Sequence, residues 1–151
     1  MAVLRKQKTI RDAVSLRAGA RCEYCKSPSD IGSAPFNVEH IEPTVGGGAD
    51  EVDNLAWSCV FCNASKAKVT KATDPATGDE VALFHPRHNE WTEHFAWDDI
   101  DDSVVRGRTA IGRATENRLK LNREEIVNFR RLLRSIGRHP PLDTVPTDAI
   151  T

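Results

Sequence analysis

The sequence predicts a small α+β fold, a strand–loop–strand–helix core stapled by a metal site and followed by a helical C-terminal extension. Three observations predict it. Four cysteines stand in two close pairs, Cys22-x2-Cys25 and Cys59-x2-Cys62. Between the pairs lie a β-branched run, a glycine-rich stretch and a second short apolar run. Beyond residue 103 the apolar residues recur at three- and four-residue steps, the helical period.

The elements follow in order. "TIRDAVSLRAGARC" opens on Thr9 with Asp12 three residues later, a capping-box-like start, and Gly19 supplies a stop, so a helix is expected over about 10–18. "APFNVEHI" (34–41) alternates β-branched and aromatic residues and reads as a strand. "EPTVGGGADEVDN" reads as a wide loop, "LAWS" as a second short strand and "CNASKAKV" as a helix. "TDPATGDE" is a turn, "VALFHPR" a short strand cut off by Pro86, "EWTEHFAW" another strand and "DDIDD" an exposed acidic turn. Two helices are expected over 108–137: Thr109 caps the first, and Asn122 with Glu125 forms a capping box for the second. Gly137 ends the second. In that helix Ile126, Phe129, Leu133 and Ile136 fall on one face and read as core.

Length and composition bound the class. At 151 residues the chain is one domain, or one small domain with an extension. It has one Tyr, one Met and five Phe, so its core is thin and benefits from a staple. Its start is charged and lacks an apolar secretory core, and no stretch approaches the ~20 apolar residues that span a bilayer. A soluble cytoplasmic protein with no membrane partner is the expectation. Net charge is −1, but its distribution is uneven. Residues 1–21 carry six Lys/Arg against one Asp, and residues 104–138 carry ten against three Glu. Such runs attract a polyanion or simply solvate helix faces.

In a reducing compartment two close cysteine pairs point to metal rather than disulfides. Each hook places two thiolates on one ion, and four complete a tetrahedron at Zn–S distances of about 2.3 Å. Cys22, Cys25, Cys59 and Cys62 are therefore the expected ligands of a structural Zn²⁺ with no open coordination position. The 33 residues between the hooks leave room for a functional element.

That element carries a resemblance. The two C-x2-C hooks, "VEHIEP", the glycines, "DNL" and "CNASK" together resemble the HNH endonuclease family, the ββα-metal nucleases. The resemblance covers about residues 20–68, and the downstream "LFHPR" to "LKLN" stretch resembles an extension in one branch of that family. It implies a fold of the ββα-metal (His-Me finger) type and hydrolysis of phosphodiester bonds in DNA with a single divalent ion. The expected domain limits are a nuclease domain over 1–103, a helical extension packed on it over 104–138, and a mobile, Pro-rich tail over 139–151. It implies that Glu39 ligates the catalytic ion, that His40 activates water, and that Asn54 braces the loop carrying the histidine.

The residue chemistry agrees with those roles. An imidazole is the side chain best suited to take a proton from water near neutral pH. Glu39 is adjacent to His40, so on a regular strand the two side chains point to opposite faces, and either a local bend reconciles them or each works on its own side. Asn63, fixed by the hook at Cys62, is a second candidate ligand. A carboxylate, an amide oxygen and several waters suit Mg²⁺, with Mn²⁺ or Ni²⁺ as other possible ions. Many family members carry Asp where this chain has Glu39, which leaves metal preference open. Lys66, about one turn after Asn63, is the expected nucleic-acid contact. The expected partner is double-stranded DNA, and oligomeric state is not legible. Two other functions compete: a non-catalytic zinc-stabilised nucleic-acid-binding module, and a zinc-stabilised protein-interaction module.

Overall fold

Asn37–His40 (β1) and Leu55–Ser58 (β2) form an antiparallel hairpin in which Val38 faces Trp57, Glu39 faces Ala56 and His40 faces Leu55. β2 is buried along its whole length, which suits its apolar run. Val60–Lys66 (α2) follows directly, with Cys59 as its N-cap. The expected strand–loop–strand–helix order is thus present, in a small α+β structure of short antiparallel strand pairs and helices. The computed structural model describes residues 2–146. Contacts divide the chain into two compact units, one over residues 1–70 and one from Lys71 onward.

In the first unit Ala2–Arg17 (α1) precedes the hairpin. It begins well before the expected start at residue 10. Thr9 is not a cap but an interior residue whose hydroxyl donates back to the Arg5 carbonyl at 2.9 Å, and Asp12 pairs with Lys8 one turn earlier. The helix ends where expected. Gly19 at φ +65° lets Ala20 N–H reach the Ser15 carbonyl and its own N–H reach that of Leu16, a Schellman closure. The helix docks on β2 through Arg17, which donates to the Leu55 carbonyl and to that of Val52 just before the strand, and its Val14 is fully buried. Arg11 lies over the Trp57 ring at 4.7 Å, a cation–π contact.

Among its described residues the second unit has two hairpins, three α-helices and a short 3-10 turn at Leu142–Thr144. Lys71–Thr73 (β3) pairs with Glu80–Ala82 (β4), and Phe95–Trp97 (β5) with Val105–Gly107 (β6). The boundary expected at residue 103 falls inside this second hairpin. Trp91–His94 (α3) is a single helical turn where a continuous strand was expected over 90–97, and only the last three residues of that stretch form a strand. Ala110–Leu119 (α4) starts on the expected cap, Thr109, whose hydroxyl accepts from Gly112 N–H at 3.0 Å. Glu124–Ser135 (α5) ends on Gly137 at φ +75°, again with a Schellman closure from Arg138 N–H to the Leu133 carbonyl.

The capping box expected at Asn122 is absent. Arg123 is the N-cap, and Asn122 is used elsewhere: its oxygen accepts from Val105 N–H, and its amide donates to the Val105 carbonyl and to Glu116. The core face of α5 also differs. Ile126 and Leu133 are buried as expected, but Ile136 is 57% exposed, and the residue between them on that face is the buried Arg130. Its guanidinium donates to the Ser103 carbonyl and lies over Trp97.

Asp74 is the second unit's other buried charge. It caps the β3–β4 turn through Ala76 N–H and Thr77, and takes a two-pronged bond from Arg113 on α4 at 3.0 and 2.8 Å. That guanidinium and those donors hold its carboxyl at about 2. In residues 139–146, where the expected tail begins, His139 and Thr144 are buried, Trp97 donates to Thr144, and Leu142 is exposed. The rest of that segment lies outside the described residues. No helix among the described residues is long and apolar enough to cross a membrane.

Candidate metal centre and hydrolytic site

The four cysteines converge. Cys22 and Cys25 sit in a tight knuckle closed by Cys22 N–H to the Ser27 carbonyl and Lys26 N–H to that of Cys22. Glu23, between them, fastens the knuckle to β2: its N–H donates to the Trp57 carbonyl and its carboxylate accepts from Trp57 N–H, both at 2.9 Å. Cys59 and Cys62 come from the first turn of α2, where the Cys59 sulfur accepts from Cys62 N–H. All four are buried and in no disulfide, and their sulfurs lie within 4.8 Å of one another. Sulfurs on a tetrahedral zinc at about 2.3 Å stand about 3.8 Å apart, and Cys25 and Cys59 are separated by 3.7 Å. The donor set and its spacing fit a metal ion, and four sulfurs suit zinc. Burial pushes the Cys22 thiol well up, so a cation is what makes a thiolate favourable there.

β1 keeps the alternation of a regular strand, so Glu39 and His40 face opposite ways. Glu39 is 5% exposed. Its Oε1 is 2.9 Å from Lys66 Nζ and accepts from the Tyr24 hydroxyl at 3.0 Å. Its Oε2 is buried with no hydrogen-bond partner. Burial raises its carboxyl above the ordinary range, against the opposing pull of Lys66. The Tyr24 phenol is pushed well up by burial, so it stays protonated and donates.

His40 is on the open side, its side chain 37% exposed, with Nε2 2.9 Å from Asp50 Oδ1. A carboxylate only accepts, so this contact calls for a proton on Nε2, and in the neutral ring Nδ1 then keeps its lone pair. The sequence does not single out Asp50: one acid among several after the glycines carries no signal of what it touches.

Asn54, at the end of the loop that separates β1 from β2, bridges its two ends. Its oxygen accepts from Glu42 N–H, and its amide donates to the Glu42 and Ala49 carbonyls at 2.9 and 2.7 Å. Its backbone carbonyl accepts from Ile41 N–H. The loop is drawn in so closely that a Cβ on Gly48 would lie 1.9 Å from the Glu42 carbonyl oxygen.

Asn63 is half-buried on α2. Lys66, expected at a phosphate, is 1% exposed, and its ammonium is spent on Glu39 and on the Ile41 carbonyl, both at 2.9 Å. A long side chain on the inner face of α2 folds under the helix to meet the buried carboxylate. The cation that faces open space is Lys68, in a cleft of about 400 Å³ lined also by Glu42, Pro43, Val45, Gly46 and Thr70. Glu39, His40 and Asn63 are not among its lining residues.

Residues 22–68 match the HNH endonuclease family model. No curated protein and no solved structure matches the chain. The matched HNH segment runs from the first cysteine hook to just past α2, and so contains all four sulfurs, the β1–β2 hairpin, His40, Asn54, Asn63 and Lys66. The match ties the segment to nuclease or nucleic-acid-related function.

Within the HNH segment the donors for a second, hard cation are sparse. The four-cysteine group is the only cluster of three or more His, Cys, Asp or Glu ligands among the described residues. The chemistry fits such an ion in one respect: Glu39 Oε2 is a buried oxygen left without a partner, a costly state that a cation relieves. An ion held by one carboxylate keeps most of its waters, as Mg²⁺ does, so it would reach this enclosed oxygen only after the carboxylate turned outward.

Proposed function

We propose that the chain is a metal-dependent endonuclease that hydrolyses phosphodiester bonds, with double-stranded DNA as its substrate. The observation that carries the reading is the coincidence of the HNH match with a segment in which the cysteine cluster, the hairpin and α2 frame His40. His40 is the general base. Asp50 on Nε2 fixes the tautomer, so that Nδ1 takes the proton of a water attacking phosphorus as the bond to the 3′ oxygen breaks. Asn54 holds the loop that carries Asp50 against the strand that carries His40. Glu39, through Oε2, and Asn63, through its amide oxygen, are the residues that would hold a Mg²⁺-class ion, with Mn²⁺ or Ni²⁺ as substitutes, once the Glu39 carboxylate turns out of its enclosed position across β1 from the imidazole. When bound, that ion supplies electrostatic stabilisation of the charge that grows on the departing oxygen. The zinc at the cysteines is structural. The reading places the chain in the cytoplasm, where thiols stay reduced and available to zinc.

A second reading has one observation in its favour. Glu39 is already neutralised internally by Lys66, as it would be in a non-catalytic zinc-stabilised nucleic-acid-binding module. Incubation of the protein with supercoiled plasmid under Mg²⁺, Mn²⁺, Ni²⁺ or EDTA, with His40→Ala alongside, separates the two. The nuclease reading expects metal-dependent nicking that falls at least ~10²-fold in His40→Ala, the usual contribution of a general base. Retained zinc and salt-sensitive DNA binding without cleavage under any of the metals would establish the binding module instead.

A further inference from the structure

Lys66 grips the chain on both sides of His40. Its ammonium donates to the carboxylate of Glu39 and to the backbone carbonyl of Ile41, each at 2.9 Å, and so spans the residues that flank the imidazole. The lysine sits at the end of α2, whose other end is the Cys59–Cys62 hook. It is 1% exposed, too enclosed to reach a phosphate. The Tyr24 hydroxyl completes the set from the opposite hook, two residues after Cys22. Both cysteine hooks thus send one side chain to the Glu39 carboxylate, and one of those side chains continues to the Ile41 carbonyl. On the far side of the strand, Ile41 N–H is taken by the Asn54 carbonyl.

Peptide planes on both sides of a residue fix the direction of its Cα–Cβ bond. A mobile fork at 39 and 41 would let the His40 ring swing, and a misplacement of about 1 Å costs on the order of 10²-fold in rate. A hydrogen-bonded buried ion pair adds little net stability but specifies one arrangement, which is what a base on a four-residue strand needs.

We propose that Lys66 is a positioning residue for the reaction, a strut that transmits the rigidity of the metal-bound cysteines to the histidine, and not a nucleic-acid contact. This rests on His40 being the base. Amine labelling of the intact zinc-loaded protein by reductive methylation tests the placement without any substitution. The Lys66 amine is expected to stay unlabelled with and without plasmid DNA, whereas exposed Lys68 is labelled in the free protein. Labelling of Lys66 in the free protein, with protection by DNA, would overturn the proposal.

Lys66→Arg and Lys66→Met test the positioning. Both are expected to retain zinc. Lys66→Met should lower kcat by ~10²-fold with KM and the salt dependence of DNA binding unchanged, and Lys66→Arg should recover part of the loss. The ¹⁵N shifts of the His40 ring should move from one tautomer towards an average in Lys66→Met. A raised KM with a shallower salt slope, or an unmoved His40 ring with full kcat, sinks the idea. Should Lys66→Met fail to fold, the labelling and the Lys66→Arg ring shifts still decide it. A wild-type protein that never cuts DNA would remove the nuclease reading but leave the labelling and ring-shift outcomes intact.

Discussion

Asn54 uses one acceptor and two donors to close a loop that has three glycines and few side chains of its own to hold it. Each such bond is worth on the order of 1 kcal/mol net. Asn54→Ala should therefore destabilise the first unit by about 2–3 kcal/mol, read from urea unfolding followed at Trp57. A loss under half a kcal/mol would mean the loop holds itself. Asn54→Asp keeps the acceptor but turns a carboxylate towards two carbonyls, and should be no more stable than the alanine variant. At this scale the sequence was legible where chemistry is local. Four cysteines in two hooks can satisfy one another at one ion, whatever the surrounding fold. The direction of a long side chain is not local. Nothing in "CNASK" says that the lysine turns under its helix, and nothing in "GGGAD" says that the aspartate reaches back ten residues to an imidazole.

The hairpin β3–β4 is short and mostly exposed, and a two-stranded ribbon of that size does not stand alone. Its turn is held to α4 by the Asp74–Arg113 pair. The folded carboxyl sits at about 2, below the ordinary value of 3.8. A depressed acid stabilises the fold above its unfolded value and loses that contribution as pH falls through the folded one. The stability gap between wild type and Asp74→Asn should thus be full above pH ~4 and close between about pH 4 and 2. A gap that persists to pH 2 would mean the charge is not what matters. Element ends were legible where a residue type dictates the backbone: Gly19, Gly137 and Thr109 end or start helices as expected. They were not legible where one side chain has two possible uses. Asn122 has the chemistry of a cap, but a strand edge at Val105 offers it both a donor and an acceptor, and the long-range bond wins. "EWTEH" carries strand-forming aromatics, yet makes one helical turn that buries Trp91 against Phe95 and Trp97.

Over the whole chain, all four cysteines fall in the first unit and none in the second. Zinc contributes on the order of 10–16 kcal/mol to the folding of small four-ligand peptides, about the whole stability of a domain this size. A strong chelator should abolish amide-exchange protection across β1, β2 and α2 while β5, β6 and α4 keep theirs; Cys59→Ser should do the same without chelator. Uniform loss, or none, would contradict a staple confined to one unit. The uneven charge of the sequence also resolves at this scale. Much of the basic content of both runs is spent inside its own unit: Arg11 and Arg17 dock α1, Arg113 and Arg130 brace the interior, and Arg106, Arg131 and Arg134 meet the acidic turn at 98–102. What reads as a run of free cations is largely an internal fastening, so fewer cations remain for a polyanion than their number suggests.

The loop between the hairpin strands has a consequence for anyone rebuilding this scaffold. Gly48 is jammed against the Glu42 carbonyl and Gly47 needs its left-handed turn, but Gly46 has open space around it and Val45 is 83% exposed. A foreign peptide spliced between Val45 and Gly46 would leave from the tip of the loop, clear of the asparagine clasp at its base. The chain tolerates extra length best at such a place, and a graft there would add a new contact surface while the asparagine still ties Glu42 to Ala49 at the loop's base.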